Sequence, residues 1–435
     1  MPPKVLQVGV ADRAAVERVF RGVADKKLRS GSWLAPGNKY LRNTTSRTDA
    51  ASGGRDVQLA RYIAASAPIH AADSARYLGR SVYCHLINDP HAARHFAYYA
   101  ELRAAMSILA SEGIGVFNKY HYVITGNGTL AKTSKEPTHV YTWEAISQWS
   151  QDGRAADLIA RIVRLNGLRL DDLLKSAFPG MNIQGIATSW FKSWGLDLAV
   201  LSSEKNRRNE SSYRPTQLTP HSLSTPSRTI VELREFWDSF RPTGVGRFGL
   251  IDNNLVRLAF EQQAKGAGVR GGSSNYKALA ARVISAAGIT DIEETLLTKF
   301  MLRLDAVTSR DLPLIAAARQ APSRLTGQAD HFSMICRAAI LLRMALGSLV
   351  LLANGTGLVS AFATWIEGWA VSCGVLAAPL AGNDVLDVWD EVAIALDDID
   401  GAATSSTFAE VTLAAADSMI RLGQCERIAL WTLVA

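Results

Sequence analysis

Apolar residues recur three and four positions apart along most of the chain, and this spacing predicts amphipathic helices. The clearest example is the segment 89–115, "DPHAARHFAYYAELRAAMSILASEGIG". Asp89 suits the N-cap of this helix, Pro90 fits its first helical position, and glycines follow its last turn. Similar segments before and after it predict a mainly α protein that is built of multi-helix bundle domains.

One stretch of the N-terminal half has the two-residue period of a β-strand. The residues "VFNKYHYVI" alternate, "GNG" follows as a turn, and a second β-branched piece ends in "HVYTW". This order predicts a small β-hairpin near residues 115–142, inserted between helices.

The length of 435 residues exceeds what one ordinary hydrophobic core supports, so we expect more than one domain. Residues 1–55 are expected to form an N-terminal segment and loop, because 29–55 shows no sustained period. The Ser/Thr/Pro-rich connector "TQLTPHSLSTPSR" predicts a boundary near Thr225. This boundary separates a helical domain at 56–225 from an all-α domain at 226–435.

The C-terminal half contains an apolar run, from Met344 to Asn383, in which only Glu367 is charged. Its length suits membrane helices. The run is interrupted by "NGTG", is rich in Ser, Gly, Ala and Thr, and follows Arg337 and Arg343. We therefore expect a buried helical hairpin and no membrane contact.

The charge of the chain limits its partners. A net charge of +7 and a pI near 9.2 favour an anionic partner such as RNA or a nucleotide. The four cysteines form no CxxC pair, and the first residues contain no apolar export signal. We expect a cytoplasmic protein without a disulfide framework, a metal site or a cofactor.

Two short motifs offer residues for phosphate chemistry. The polar stretch "EKNRRNESSYRP" at 204–215 contains Arg208, Asn209 and Tyr213, and an earlier predicted helix contains Arg80 and His85. An arginine offers a planar fork to phosphate oxygens, and a histidine can move a proton at neutral pH without a metal. Two alternatives remain open: 204–215 is an exposed helix end, or His85 is hydrogen-bonded at the margin of the core.

These motifs, R-N-x-x-x-Y at 208–213 and R-x-x-x-x-H at 80–85, resemble those of the HEPN superfamily of helical nucleotide-binding proteins and ribonucleases. The resemblance covers at most residues 56–215 and includes proteins of bacterial phage-defence loci. It implies catalytic roles for Arg80, His85, Arg208, Asn209 and Tyr213, in a site that dimerisation completes. The chain departs from the family at Tyr213, where a histidine is usual, so that this copy is better suited to binding than to proton transfer.

Further basic residues near the two motifs are candidates for substrate binding. Arg94 and His95 lie on the predicted helix that follows Arg80 and His85, and Lys205, Arg207 and Arg214 lie in the polar stretch.

The acidic segments near the C-terminus allow a different hypothesis. Asp384, Asp387 and Glu391, followed by "DDID" at 397–400, resemble the magnesium-binding helices of all-α terpene synthases, but in the wrong order. An acidic helix end that satisfies a basic neighbour is the favoured interpretation.

Together these patterns predict an RNA- or nucleotide-binding helical protein, in its narrower form a metal-independent endoribonuclease effector of bacterial antiphage defence. The alternative is a non-catalytic scaffold or adaptor subunit of a multiprotein complex. In either case a homodimer or a partner protein is expected to use the C-terminal half.

Overall fold

The computed structural model describes residues 7–24, 54–182, 186–213, 225–242, 248–320, 331–378, 385–403, 407–422 and 425–432. Within these residues the chain forms eighteen α-helices and five short strands, which confirms the expected mainly α fold. The α-helices are α1 Arg13–Ala24, α2 Val57–Leu86, α3 Pro90–Ser111, α4 Thr138–Ser150, α5 Gly153–Ile162, α6 Leu170–Ala177, α7 Ile186–Ser193, α8 Leu198–Tyr213, α9 Pro226–Asp238, α10 Gly249–Gly266, α11 Ser274–Ala286, α12 Asp291–Leu302, α13 Pro313–Ala318, α14 His331–Thr356, α15 Val359–Ser372, α16 Val385–Ala402, α17 Phe408–Ala414 and α18 Ala416–Leu422. The strands are β1 Ile114–Gly115, β2 His121–Ile124, β3 Leu130–Ser134, β4 Arg164–Leu165 and β5 Leu168–Arg169.

Helices α2 and α3 form an antiparallel pair with defined caps. Asp56 accepts hydrogen bonds from the backbone N–H groups of Gln58 and Leu59, and Asp89 accepts one from that of Ala92. Asn88 makes the turn between the helices with φ of 60°, a left-handed conformation that asparagine tolerates. The expected cap of α3 at Asp89 and Pro90 is therefore confirmed.

Three buried serines set the register of α2 against α3. The hydroxyl of Ser74 donates to the carbonyl of Ala100, that of Ser81 to Ala93, and that of Ser107 to Ala67, at 2.6–2.8 Å. A hydroxyl that bonds a backbone carbonyl of the facing helix requires close approach, which the alanines of both helices allow. This register decides which polar side chains of the two helices meet.

The hairpin is present but shorter than expected. Strands β1, β2 and β3 form an antiparallel sheet in sequence order, and the second long strand is 130–134. The segment "HVYTW", expected as a strand, lies in α4. Pro137 precedes this helix, where proline is tolerated, and the buried Tyr141, Ala145 and Trp149 repeat with helical spacing.

Helix α14 occupies the centre of the protein. Among the described residues it is the one helix long and apolar enough to cross a membrane. Of its most apolar stretch of 18 residues, 89% is buried within the protein. Helix α15 follows after a turn at Gly357 and buries only Phe362, Ile366 and Ala370. The expected buried hairpin is therefore correct for its first helix, α14, but not for α15, most of whose residues are half-buried or exposed.

Helices from both sides of the predicted boundary near Thr225 share this core. Helix α14 packs against α2 and α3, and Arg13 of α1 hydrogen-bonds both the hydroxyl and the carbonyl of Ser348. The division into domains at 56–225 and 226–435 stays a prediction, and the two segments pack closely together.

Candidate functional site

A pocket of about 330 Å³ lies between α2, α3, the segment after β1 and the start of α4. Three aromatic residues line it, Tyr62, Tyr99 and Phe117, together with the polar residues His70, Arg103 and His139. The volume is at the lower end of the range of roughly 300–1,000 Å³ that is typical of small-molecule sites.

The aromatic residues bring ring surfaces to the pocket. Tyr62 and Phe117 lie with their centroids 5.6 Å apart and tilted by 35°. Tyr99, from α3, lies edge-on to the ring of His139, with the two ring centroids 6.0 Å apart. Tyr62, Tyr99 and His139 are half-buried. Each ring is partly packed and partly accessible to solvent, so the pocket is open to a ligand.

Arg103 and His70 form the polar part of the pocket. Arg103 Nη1 lies 3.0 Å from His70 Nδ1, and since a guanidinium only donates, Nδ1 accepts. Burial, followed by the charge of Arg103, holds the pKa of His70 well below its ordinary value of 6.5. The ring is therefore neutral at pH 7 with its proton on Nε2.

The charge of Arg103 is only partly balanced by a carboxylate. Asp73 Oδ2 lies 3.7 Å from Arg103 Nη1, and both side chains are partly exposed. An ion pair of this length in contact with water is weak. The guanidinium therefore remains a suitable partner for an anionic ligand.

His121 fixes the wall of the pocket at Phe117. Its ring is fully buried and stacks on Tyr141 at 3.8 Å, with 3° between the planes. Nδ1 accepts from the backbone N–H of Phe117 at 3.1 Å, and Nε2–H donates to the carbonyl of Glu136 at 2.7 Å. The hydroxyl of Thr138 donates to the carbonyl of Phe117 at 2.8 Å, so both backbone groups of Phe117 are held.

Arg80 and His85 lie on the same helix but have different surroundings. Arg80 is exposed and lies over the ring of Phe96, 5.9 Å from its centroid. His85 is only 3% exposed: its Nδ1 lies 2.7 Å from His331 Nε2, and its ring stacks on Phe332. Five residues along a helix correspond to a rotation of about 140°, so the structure does not bring this pair to one pocket.

The second nitrogen of His85 faces a carboxylate. His85 Nε2 lies 3.3 Å from Glu232 Oε2 of α9. Burial raises the pKa of Glu232, but the hydrogen bonds and charges of His85 and Arg228 outweigh it, so that the net pKa is lowered. These contacts agree with the alternative in which His85 is hydrogen-bonded at the margin of the core.

The other predicted site residues lie on α3 and α8. Arg94 is buried, and His95 is half-buried against Tyr99 at 5.0 Å. The polar stretch at 204–215 continues α8 to Tyr213, and Asn209 is half-buried on it. The same helix contains the predicted site residues Lys205, Arg207, Arg208 and Tyr213, whose side chains the structure does not describe. Arg214 lies outside the described residues.

A buried charge cluster lies where α8 meets α3. Glu204 of α8 and Glu101 of α3 are both fully buried and both contact Arg337 of α14, which is 2% exposed. Arg337 Nη1 also donates to the hydroxyl of Ser333 at 3.2 Å. Burial, and then the neighbouring Glu204, raise the pKa of Glu101 well above its ordinary value. This cluster anchors α8 to the core and is closed to solvent.

The acidic segments near the C-terminus contact arginines. Arg234 of α9 pairs with Asp397 and Asp400 of α16, and Arg427 pairs with Glu391. Asp384 lies outside the described residues. No group of three or more His, Cys, Asp or Glu side chains in the described part of the chain is arranged to hold a metal ion.

The sequence predictions did not include the pocket residues His70, Arg103, His139, Tyr62 and Phe117. His70 and Arg103 are 33 positions apart and meet because of the helix register. The serines that set this register, Ser74, Ser81 and Ser107, can be read from the sequence, but their partners on the facing helix cannot.

Comparisons with protein-family models, with curated proteins and with solved structures give no match for this chain. The resemblance to the HEPN superfamily therefore rests on the two short motifs alone.

Proposed function

We propose that the protein binds RNA or a nucleotide and that the pocket beside Arg103 receives a base. The observation that supports this proposal best is the combination of aromatic rings with a guanidinium and a neutral histidine in one small pocket. Base–aromatic stacking, an N–H donor for a base edge and a cation for phosphate are the three elements of such recognition.

The pocket suits a base better than a purely apolar ligand. Arg103 and His70 would remain without ligand partners if an apolar molecule filled the space, which makes such binding unfavourable. The basic charge of the chain favours an anionic partner as well.

Binding is tested with two probes, a fluorescein-labelled single-stranded octanucleotide RNA in anisotropy titrations and adenosine or uridine monophosphate in calorimetry. Tyr62→Ala is expected to reduce affinity for both probes by about 5- to 150-fold, the effect of about 1–3 kcal/mol per stacked base. Arg270→Gln, an exposed arginine in the loop before α11, is the control. Absence of binding by the unmodified protein would refute the proposal.

Endonucleolytic cleavage, an antiphage-defence role and a cytoplasmic location are narrower proposals that rest on the sequence. Cleavage of RNA in EDTA, with loss of activity in Arg80→Ala and Arg208→Ala, would support the metal-independent ribonuclease. Intact RNA with retained binding would limit the function to binding.

The scaffold hypothesis gains support from α12. Ile292 and Leu296 lie four residues apart on this helix and are 78% and 58% exposed, and Val307 nearby is 85% exposed. Exposed apolar side chains that share one helix face are typical of contact sites. If a second copy binds there, Ile292→Ser with Leu296→Ser would abolish a dimer in sedimentation experiments, whereas Leu413→Ser would not.

A further inference from the structure

Three lysines surround one tyrosine at the end of the β2–β3 hairpin, close in sequence to the pocket residues Phe117 and Thr138. The Nζ atoms of Lys132, Lys119 and Lys135 lie 3.4, 5.3 and 5.5 Å from the centroid of the Tyr120 ring. All three lysines are exposed, and Tyr120 is half-buried. We call these four residues the hairpin cluster.

The cluster concentrates like charge. The Nζ atoms of Lys132 and Lys135 both lie over the ring of Tyr120, so that two exposed cations share one tyrosine face. Like charges held this close repel one another, and the arrangement is relieved when an anion binds among them. The ring of Tyr120 also provides a face on which a base can stack.

The cluster is connected rigidly to the pocket. Lys119 follows the pocket residue Phe117 by two positions, and Lys135 precedes the pocket residue Thr138 by three. Both segments are tied to the His121 ring, through the N–H of Phe117 and the carbonyl of Glu136. The backbone that carries Lys119 and Lys135 is therefore held next to pocket residues, while the lysine side chains remain exposed.

We propose that the ligand is a single-stranded oligonucleotide, with one unpaired base in the pocket and the adjoining phosphates on Lys119, Lys132 and Lys135. This inference rests on the proposed binding function and narrows it from nucleotides in general to single strands. A duplex does not fit, because a base inside the helix is stacked and paired and cannot enter a pocket without being extruded.

The salt dependence of binding measures the lysine contribution. Three neutralised phosphates on a single strand change the slope of log affinity against log salt by about 2. We expect the slope of log affinity against log salt to fall by about 2 in the triple variant Lys119→Gln, Lys132→Gln and Lys135→Gln. Between about 50 and 200 mM salt, the unmodified protein would lose about 15- to 20-fold more affinity for the octanucleotide than this variant.

A matched control carries the same charge change elsewhere. Lys265, Lys277 and Lys299 are exposed on α10, α11 and α12, and their replacement by glutamine should leave the slope unchanged. The three single variants of the cluster are expected to lower the slope by about 0.7 each, a graded effect that loss of folding would not produce. Octanucleotide RNA, the equivalent DNA and an RNA duplex form the ligand series, with the single strands binding tightest.

The outcomes separate the inference from the proposed function. Monophosphate binding that persists in the triple variant, together with a reduced octanucleotide slope, supports both. An unchanged slope, or duplex binding as tight as single-strand binding, overturns the inference and leaves nucleotide binding intact. Failure of the unmodified protein to bind any of these ligands refutes the proposed function itself.

Discussion

Arg103 donates from Nη1 to Nδ1 of His70 across the α2–α3 interface, at 3.0 Å. This contact joins the one guanidinium of the proposed pocket to a histidine that burial keeps neutral. Arg103 thus holds the ring in the tautomer that carries its proton on Nε2.

Arg103→Gln is expected to weaken nucleotide binding by about 10- to 150-fold, because a charged hydrogen bond contributes about 1.5–3 kcal/mol. The glutamine amide can still donate to His70, so the folded protein should keep its stability. Calorimetric titration with uridine monophosphate, alongside urea denaturation, checks both expectations. Unchanged affinity in this variant would place the ligand elsewhere.

Acidification is expected to destabilise the protein through His70 and His121. Burial is the main cause that lowers the pKa of each ring below 6.5. The unfolded chain therefore binds a proton near pH 6.5 while the folded chain does not, so stability is complete above that pH and falls as the pH decreases.

Each histidine contributes a slope of up to about 1.4 kcal/mol per pH unit in this window. Urea denaturation at a series of pH values measures it, with His121→Gln as the comparison. The variant should show a smaller slope below pH 6.5, and an equal slope would contradict the assignment of His121.

The buried cluster of Glu101, Glu204 and Arg337 gives opposite predictions for its members. The raised pKa of Glu101 means that the folded state binds a proton there more tightly than the unfolded state does, so this carboxyl contributes stability that is lost as the pH rises above its ordinary value of 4.5. Glu101→Gln, which is always neutral, should maintain or raise stability at pH 7.

Arg337→Met should instead cost about 3–5 kcal/mol, since it leaves buried carboxyls without their cation. Urea denaturation at pH 7 compares the two variants. Equal destabilisation by both would show that Glu101 is ionised in the folded protein.

His85→Ala separates a structural from a catalytic role. The contacts of His85 with His331 and Glu232 predict a loss of about 1–3 kcal/mol in the free energy of unfolding, since their polar groups lose a partner. RNA binding in the pocket should not change. A loss of RNA cleavage at unchanged stability would support the catalytic role that the motif predicts.

The local parts of the fold could be predicted from sequence. The cap at Asp89 and Pro90, and helices α3 and α14, depend on residues within a few positions of one another. The interpretation of "HVYTW" as a strand was wrong because five residues rich in β-branched and aromatic types do not distinguish a strand from a buried helix. The helical repeat of Tyr141, Ala145 and Trp149 extends beyond those five residues.

The sequence by itself determined a mainly helical, basic chain with an apolar core helix, since periodicity and composition are properties of neighbouring residues. Only the tertiary structure decided that His70 meets Arg103 and that His85 meets His331, 246 positions away. Such contacts depend on the register and crossing of packed helices. That arrangement is set by the complementarity of whole surfaces and not by any short motif.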